Sequence, residues 1–249
     1  MVLLVDARTD TELFSGGAVD QPLPPGSILK LLVALATAAE RPQALVKPRL
    51  CPPRPPGIEH GPPDGHGLID LEDALARSCN RYFALLGYEL GAPPLFRAAA
   101  ALGLPMTPPA ARVPAGELAL GTGLRLSARQ LLTLLRTVVP TDPGAERPLP
   151  LPHPPPAQDD EDVVERTRRR VREGLCRAVT RGTARAAGEG GLSACGKTGT
   201  ALLGESTIGW FVGYAPAGLP RVHLVLGLPG KLGRHAARAA HSVLVGVTP

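Results

Sequence analysis

A serine and a lysine three residues apart, Ser27 and Lys30, are the residues of this sequence best suited to chemistry. Pro and Gly at positions 24–26 precede them, and the largely apolar run 31–39 follows without either breaker, which indicates a loop leading into a buried helix. On such a helix the two side chains share one face, so the amine can reach the hydroxyl. A helix N-terminus also favours an oxyanion. The spacing predicts a serine nucleophile with a lysine base.

Composition strengthens this interpretation, because S-x-x-K alone is a weak pattern. The chain has seven serines and four lysines, and arginine supplies the rest of its 27 basic residues. Arginine cannot lose its proton in a protein, whereas a desolvated lysine can act as a base. A lysine at position 30 of an arginine-rich chain therefore favours a role that requires deprotonation.

Two further motifs follow in the chain. Ser78-Cys79-Asn80 contains the single asparagine of the sequence, and Lys197-Thr198-Gly199-Thr200 contains a second of the four lysines. The order S-x-x-K, S-x-N, K-T-G is typical of serine β-lactamases and penicillin-binding proteins.

Secondary-structure patterns predict an α+β fold. A hairpin is expected over residues 2–14 and three strands over 195–201, 208–214 and 222–228, with a closing helix at 234–245. Between these ends, six helices are expected, each with a start or stop signal in the sequence. They run from Ser27 to about Arg41, from Asp70 to Arg77, from Asn80 to Leu90, from Pro94 to Leu102, from Ser127 to Val139 and from Asp160 to about Thr180. The terminal strands should join in one five-stranded antiparallel sheet, flanked by helices and carrying an inserted all-helical lobe.

The chain resembles the penicillin-binding transpeptidase domain over nearly its whole length. Besides the three motifs, the matching segments are 74–83, 120–123 with 127–131, 182–184, 196–201 and 209–216. The resemblance implies a single domain over 1–249, with an α/β lobe at about 1–30 and 170–249 and a helical lobe at about 31–169.

The resemblance also implies a role for each motif residue. Ser27 would attack a carbonyl and Lys30 would take its proton, aided by burial and a second ammonium nearby. Ser78 would relay the proton to the leaving amine, and Asn80 would hold Lys30 and the substrate amide.

The third motif would bind the substrate. Lys197, Thr198 and Thr200 would hold its terminal carboxylate, and Gly199 would leave room for it along the strand edge. Backbone N–H groups of Ser27 and Thr200 would form the oxyanion hole.

The implied activity is that of a peptidoglycan D,D-transpeptidase acting on D-Ala-D-Ala stem peptides and acylated by β-lactams. D,D-carboxypeptidase, β-lactamase, a β-lactam sensor or binding domain that does not turn over, and a cytoplasmic esterase or acyltransferase stay open. Between Glu89 and Asp142 the only carboxylate is Glu117, interpreted as a surface residue, so slow deacylation is expected. The substrate implies an extracytoplasmic location and cell-wall synthesis partners, although the sequence opens on a strand with no signal peptide or anchor.

Other classes of function are disfavoured. The net charge of +5 is spread along the chain without interleaved aromatics, and the basic run 166–172 follows the acidic run 159–165, which reads as a solvated helix and not a nucleic-acid-binding face. The longest apolar run is too short to span a membrane. Neither a cofactor nor a metal is predicted.

The cysteines follow no recognised framework. Cys51, Cys79, Cys176 and Cys195 show no C-x-x-C and no regular spacing, so the sequence dictates neither a disulfide pattern nor a zinc finger. A loop set of possible metal ligands contains Cys51, His60, Asp64 and His66. Its spacing matches no standard ligand pattern.

Overall fold

A computed structural model describes residues 1–53, 64–105, 112–139 and 163–247 of the chain. The strands are β1 (Val2–Asp6), β2 (Glu12–Gly16), β3 (Arg49–Cys51), β4 (Gly67–Ile69), β5 (Cys195–Leu203), β6 (Ser206–Ala215) and β7 (Val222–Pro229). The α-helices are α1 (Lys30–Glu40), α2 (Leu71–Ala76), α3 (Asn80–Leu90), α4 (Ala92–Ala101), α5 (Ala115–Leu118), α6 (Ala128–Arg136), α7 (Val163–Arg181) and α8 (Gly233–Val245). Short 3-10 segments lie at Gly26–Leu29, Pro42–Leu45 and Arg185–Gly191.

Five strands form one antiparallel sheet in the order β2-β1-β7-β6-β5, which confirms the predicted fold class. The N-terminal hairpin joins the C-terminal strands through β1, where Val2 lies opposite Leu226. The amino group of Met1 donates a hydrogen bond of 2.8 Å to the Gly227 carbonyl and extends this pairing. The last strand in the order, β5, carries the K-T-G motif and has a free edge within the described sheet.

Helix α1 runs through the core. Its residues from Lys30 to Ala38 are buried on every face, as expected of a helix that is apolar all round. Helices α3, α4 and α7 pack against it. Close packing on all sides leaves the helix little freedom to move, so its first turn is a rigid platform for the residues it carries.

Local capping signals place several helix starts correctly. The Asp70 carboxylate accepts a hydrogen bond of 2.7 Å from the Asp73 backbone N–H at the start of α2. Ser127 and Gln130 form both bonds of the predicted capping box at α6. Helix α4 begins at Ala92, two residues before the predicted start, because proline is tolerated in the first turn.

Two features differ from the sequence-based expectation. The three-residue strands β3 and β4 pair as a small separate sheet that the Pro/Gly-rich composition concealed. The basic run on α7 is also not simply solvated. Arg170 donates to both carboxylate oxygens of Glu72, at 2.5 and 2.7 Å, and Arg172 donates to the Val138 carbonyl.

Within the described part of the chain, none of the helices has both the length and the apolar character that crossing a bilayer requires.

Candidate active site

The predicted nucleophile lies in a 3-10 turn and not in the α-helix itself. Ser27 is part of the segment Gly26–Leu29, and Lys30 is the first residue of α1. Ser27 is partly exposed, whereas Lys30 is completely buried. Ser27 therefore lies at the surface end of a buried helix.

Two glycines allow other segments to approach this turn closely. Gly26 has φ +52°, and a Cβ there would lie 2.5 Å from the Thr200 carbonyl oxygen of β5. Gly121 has φ +93°, and a Cβ there would lie 2.6 Å from the Gly26 carbonyl oxygen. Both positions exclude larger residues on steric and conformational grounds. The turn that contains Gly121 and strand β5 thus enclose Gly26, the residue before Ser27.

The three motifs converge on Lys30 and Ser78. The Lys30 amine donates to the Ser78 carbonyl at 2.8 Å, to Asn80 Oδ1 at 2.7 Å and to Ser78 Oγ at 3.2 Å. The Lys197 amine donates to the same Ser78 Oγ at 2.8 Å and to the Thr198 carbonyl at 2.8 Å. One hydroxyl therefore connects the lysines of the first and third motifs.

Burial shifts both lysines towards their neutral forms. Desolvation lowers the pKa of Lys30 to about 7. Desolvation, followed by the positive charge of Lys30, lowers the pKa of Lys197 well below its usual range. Across the described residues, no carboxylate forms an ion pair with either amine. Lys30 can therefore be neutral near physiological pH and accept a proton.

Ser78 holds its position in a strained backbone conformation. It has φ +55° at the junction of α2 and α3, a region that costs a residue with a Cβ about 1–2 kcal/mol. Backbone hydrogen bonds from Ser78 N to Leu75 O and from Cys79 N to Ala74 O fix this junction. Such outliers persist where the surroundings over-determine them, often at functional sites.

Thr183 joins the third motif to the second and was given no role by sequence reasoning. Its hydroxyl lies 2.6 Å from the Thr198 hydroxyl, and its backbone N–H donates to the Ala76 carbonyl at 3.0 Å. The signal in the sequence was the segment 182–184, which was recognised only as part of the resemblance. Thr183 spans the gap between β5 and the end of α2, so it helps to set the width of the site.

Two other residues of the third motif, Gly199 and Thr200, are also fixed by contacts with neighbouring segments of the protein. The Thr200 hydroxyl accepts a hydrogen bond of 2.9 Å from the Gly233 N–H at the start of α8. At Gly199 a Cβ would lie 2.9 Å from the Pro25 carbonyl oxygen and 3.0 Å from Ile28 Cγ1. The glycine is explained by close packing of the nucleophile turn on β5, whereas the sequence suggested room for a substrate.

A disulfide bond that the sequence did not dictate links strand β5 to helix α7. Cys176 on α7 is bonded to Cys195, the first residue of β5 and two residues before Lys197.

Glu117 is exposed on α5, in agreement with its interpretation as a surface residue.

Comparison with known proteins assigns the family. The sequence model described as "Penicillin binding protein transpeptidase domain" matches residues 3–244. No curated protein matches the chain.

Solved structures share the fold. One is the D,D-transpeptidase domain of a peptidoglycan glycosyltransferase from Eggerthella lenta, 20% identical with a TM-score of 0.73, covering 99% of this chain and 77% of that one. Penicillin-binding protein A from M. tuberculosis, solved as an imipenem acyl-enzyme, is 20% identical with a TM-score of 0.72 and coverages of 100% and 73%. PBP2 from Helicobacter pylori, solved in complex with MreC, is 17% identical with a TM-score of 0.78 and coverages of 99% and 60%.

At these identities the structural likeness establishes the fold alone, while the sequence model spans nearly every residue from β1 to α8. This chain belongs to the penicillin binding protein transpeptidase domain family.

Proposed function

We propose that this chain is a peptidoglycan D,D-transpeptidase that acts on stem peptides ending in D-Ala-D-Ala through a Ser27 acyl-enzyme, and that β-lactams acylate the same serine. The observation that supports this most strongly is the Ser78 hydroxyl, shared by the buried amines of Lys30 and Lys197 at 3.2 and 2.8 Å. A proton can move along this series of hydrogen bonds between a nucleophile and a leaving group.

In the acylation step, Ser27 Oγ attacks the carbonyl of the penultimate D-alanine while its proton passes to neutral Lys30. Backbone N–H groups of Ser27 and Thr200 would stabilise the oxyanion, each such donor contributing about 3–4 kcal/mol in comparable sites. The C–N bond then breaks, and Ser78 gives its proton to the leaving amine and recovers one from Lys30. The products are the acyl-enzyme and free D-alanine.

The third motif supplies substrate binding. The carboxylate of the terminal D-alanine lies against Lys197, Thr198 and Thr200, and its charge favours the protonated form of Lys197. Strand β5 is at the end of the sheet order, so an extended stem peptide can pair with its open edge. Asn80, which accepts a hydrogen bond from Lys30 through Oδ1, retains its amide N–H groups for the substrate backbone.

The second substrate is an amine from a neighbouring stem peptide, which attacks the ester and receives the acyl group. A fast hydrolase would instead need a base to activate water. Glu117 is exposed. We therefore favour transpeptidation over β-lactam hydrolysis, with carboxypeptidation as the outcome when water replaces the amine.

The test is a time course with fluorescent penicillin followed by mass spectrometry of the labelled peptide. We expect one adduct per chain on Ser27, none in Ser27→Ala, and a long-lived adduct that decays at the same rate in Glu117→Gln. Labelling that survives Ser27→Ala would refute the mechanism. Rapid turnover that collapses in Glu117→Gln would identify a β-lactamase instead.

A stable adduct would also be formed by a sensor, so a second assay is required. Incubation with a D-Ala-D-Ala donor peptide and an amine acceptor should release D-alanine and form the cross-linked product. Release of D-alanine without cross-linking identifies a carboxypeptidase. Acylation by penicillin with neither reaction identifies a binding domain.

We also propose that the domain works outside the cytoplasmic membrane with a cell-wall synthesis protein as partner. The Cys176–Cys195 disulfide supports this location, because such bonds persist in oxidising compartments. Fractionation of cells that express the native gene, combined with thiol labelling of the isolated protein, tests it. A reduced protein confined to the cytoplasm would favour the esterase or acyltransferase alternative.

A further inference from the structure

Three potential metal ligands converge beside the S-x-N motif. The ligand atoms of Cys51, His66 and Cys79 all lie within 4.8 Å of one another. They come from three separate segments: the end of β3, the residue before β4 and the cap of α3. Of the four possible ligands named from the sequence, Cys51 and His66 are therefore part of the cluster. His60 lies outside the described residues, and Asp64 is exposed and not a member.

The two thiols of the cluster are buried, and the partly buried His66 has an unsatisfied ring nitrogen. Cys51 and Cys79 are 7% and 1% exposed, and both are free thiols. The Nδ1 atom of His66 is buried and has no hydrogen-bond partner. An unpartnered buried polar atom costs about 1–3 kcal/mol, so its presence on the imidazole of this cluster calls for an explanation.

Local structure shapes this convergence. Cys51 lies opposite Gly67 in the β3–β4 pair, and the His66 N–H donates to the Cys51 carbonyl at 3.0 Å. Gly65 has φ +68°, and a Cβ there would lie 2.4 Å from that carbonyl oxygen. The tight turn back to β4 thus requires glycine and places the imidazole against the first thiol.

The second thiol is fixed by α3. Cys79 Sγ accepts a hydrogen bond of 3.4 Å from the Tyr82 N–H at the start of that helix. Burial raises the pKa of the Cys79 thiol to about 11, so binding of a metal ion would release its proton to form the thiolate. The same hydrogen bond leaves the remaining sulfur lone pairs available to a cation.

We propose that Cys51, His66 and Cys79 bind a thiophilic divalent cation, Zn²⁺, with a solvent molecule as the fourth ligand. Two thiolates and an imidazole form a ligand set that selects zinc over magnesium or calcium. In a tetrahedral site, zinc–sulfur bonds of about 2.3 Å and zinc–nitrogen bonds of about 2.0 Å place ligand atoms roughly 3.5 to 3.8 Å apart. Since the ligand atoms now lie within 4.8 Å of one another, a contraction of at most about 1.3 Å closes the cluster. An ion bound through the imidazole Nδ1 would give that atom its missing partner.

The site would act as a positioning element for the active site. Cys79 lies between Ser78 and Asn80, which bind Lys30. The β3–β4 pair is only three residues long on each strand, and a two-stranded pair of this kind is marginally stable alone. A metal bridging this pair and the start of α3 would hold the junction that keeps Ser78 at positive φ. This consequence rests on the proposed function, whereas metal binding itself does not.

The test uses the full chain, with its disulfide intact, stripped of metal by a chelator under conditions that keep Cys51 and Cys79 reduced. Addition of Co²⁺ should give one equivalent bound, with sulfur-to-cobalt charge-transfer absorption and the visible bands of a tetrahedral site. Zn²⁺ should displace it and raise the melting temperature by mass action. Cys51→Ser and His66→Gln should each weaken zinc binding by about 100-fold or more, since each removes one of three protein ligands.

Two further variants keep the test decisive. Asp64→Asn, next to the cluster but outside it, should bind cobalt like the parent. His66→Cys preserves a ligand and should retain one cobalt with stronger charge-transfer absorption, which covers the case in which His66→Gln fails to fold. Absence of a thiolate–cobalt spectrum in the parent, equal zinc affinity in Cys51→Ser, or a Cys51–Cys79 disulfide in the freshly isolated protein would each overturn the proposal.

Failure of the metal site is distinguishable from failure of the proposed function. Penicillin labelling of Ser27 with no cobalt spectrum would leave the transpeptidase and remove the metal. Cobalt binding without penicillin labelling of Ser27 would support the metal site and remove the proposed transpeptidase function. If both hold, removing zinc should slow the rate of acylation without changing the labelled residue, and adding zinc back should restore that rate.

Discussion

Lys30 and Lys197 donate hydrogen bonds to one shared acceptor, the Ser78 hydroxyl, so their amine nitrogens are no more than about 6 Å apart. Two unit charges at that distance repel by about 3 kcal/mol at an effective dielectric constant of about 20. Both amines are fully buried, and within the described chain neither has a carboxylate partner. The pair therefore favours a state in which one of the two amines is neutral. A neutral amine is what a catalytic base requires.

The first prediction concerns the pH dependence of acylation. Burial lowers the pKa of Lys30 to about 7, and only the neutral amine can accept the Ser27 proton. The second-order rate constant for penicillin acylation should therefore rise with pH by about tenfold per unit on the acid side and level off above about pH 7. Stopped-flow fluorescence at constant ionic strength measures it. A rate independent of pH between 5 and 9 would exclude Lys30 as the base.

The second prediction separates the two lysines. Lys30→Arg should abolish acylation as completely as Lys30→Ala at every accessible pH, because a guanidinium does not lose its proton. Lys197→Arg supplies the cation that the substrate carboxylate requires and should retain more activity, despite the larger side chain. Since both residues are fully buried, melting curves of the two arginine variants are the matched control for packing damage. Equal loss of acylation in two equally stable variants would refute the division of roles.

The third prediction uses the strained backbone of Ser78. Ser78→Ala and Ser78→Gly both remove the hydroxyl that links the lysines, so both should lose acylation to a similar extent. Only glycine relieves the cost of φ +55°, so the glycine variant should be more stable than the alanine variant by about 1 kcal/mol. Urea unfolding of the two variants measures the difference. An alanine variant as stable as the glycine variant would show that the junction carries no such strain.

Local signals explain why much of this site could be predicted. Pro and Gly before Ser27, the Asp70 cap and the Ser127 capping box each act within a few residues, so a pattern reveals them. The proximity of the three motifs could be inferred only through the family resemblance. The order β2-β1-β7-β6-β5 depends on contacts between the two ends of the chain, which no local pattern specifies.

Long-range packing also explains what the sequence did not reveal. Cys195 has three possible partners in the sequence, and the choice of Cys176 depends on how α7 docks beside β5. Likewise, Cys79 occupies the variable position of the S-x-N motif, so the motif assigns it no role. It joins Cys51 and His66 only because the β3–β4 pair folds against the start of α3.

The fourth prediction concerns the disulfide. Cys176 and Cys195 are 19 residues apart, and closing a loop of this size stabilises a protein by about 3 kcal/mol. Reductant should lower the free energy of unfolding of the parent by about that amount, whereas the double variant Cys176→Ala/Cys195→Ala should already have lost it and should not respond. Chemical unfolding with and without reductant provides the measurement. A parent that is insensitive to reductant would argue against this bond.

The last prediction concerns His223, a histidine of β7 that lies away from the three motifs. Its side chain is fully buried, and neither ring nitrogen has a hydrogen-bond partner in the described structure. Burial, followed by the charge of Arg136, lowers the pKa of His223 to about 4, with Asp6 opposing the shift. Below its ordinary pKa of about 6.5, the unfolded chain therefore binds this proton more readily than the folded one.

The folded state should accordingly lose stability as the pH falls from about 6.5 towards 4, by about 1.4 kcal/mol per pH unit from this residue alone. His223→Leu removes both the titration and the unpartnered nitrogens. The variant should gain about 2 kcal/mol relative to the parent when the pH is lowered from 7 to 5. Denaturant unfolding of parent and variant at the two pH values isolates this contribution, because every other titrating group is common to both. A stability difference that is the same at pH 7 and pH 5 would show that His223 does not titrate in this way.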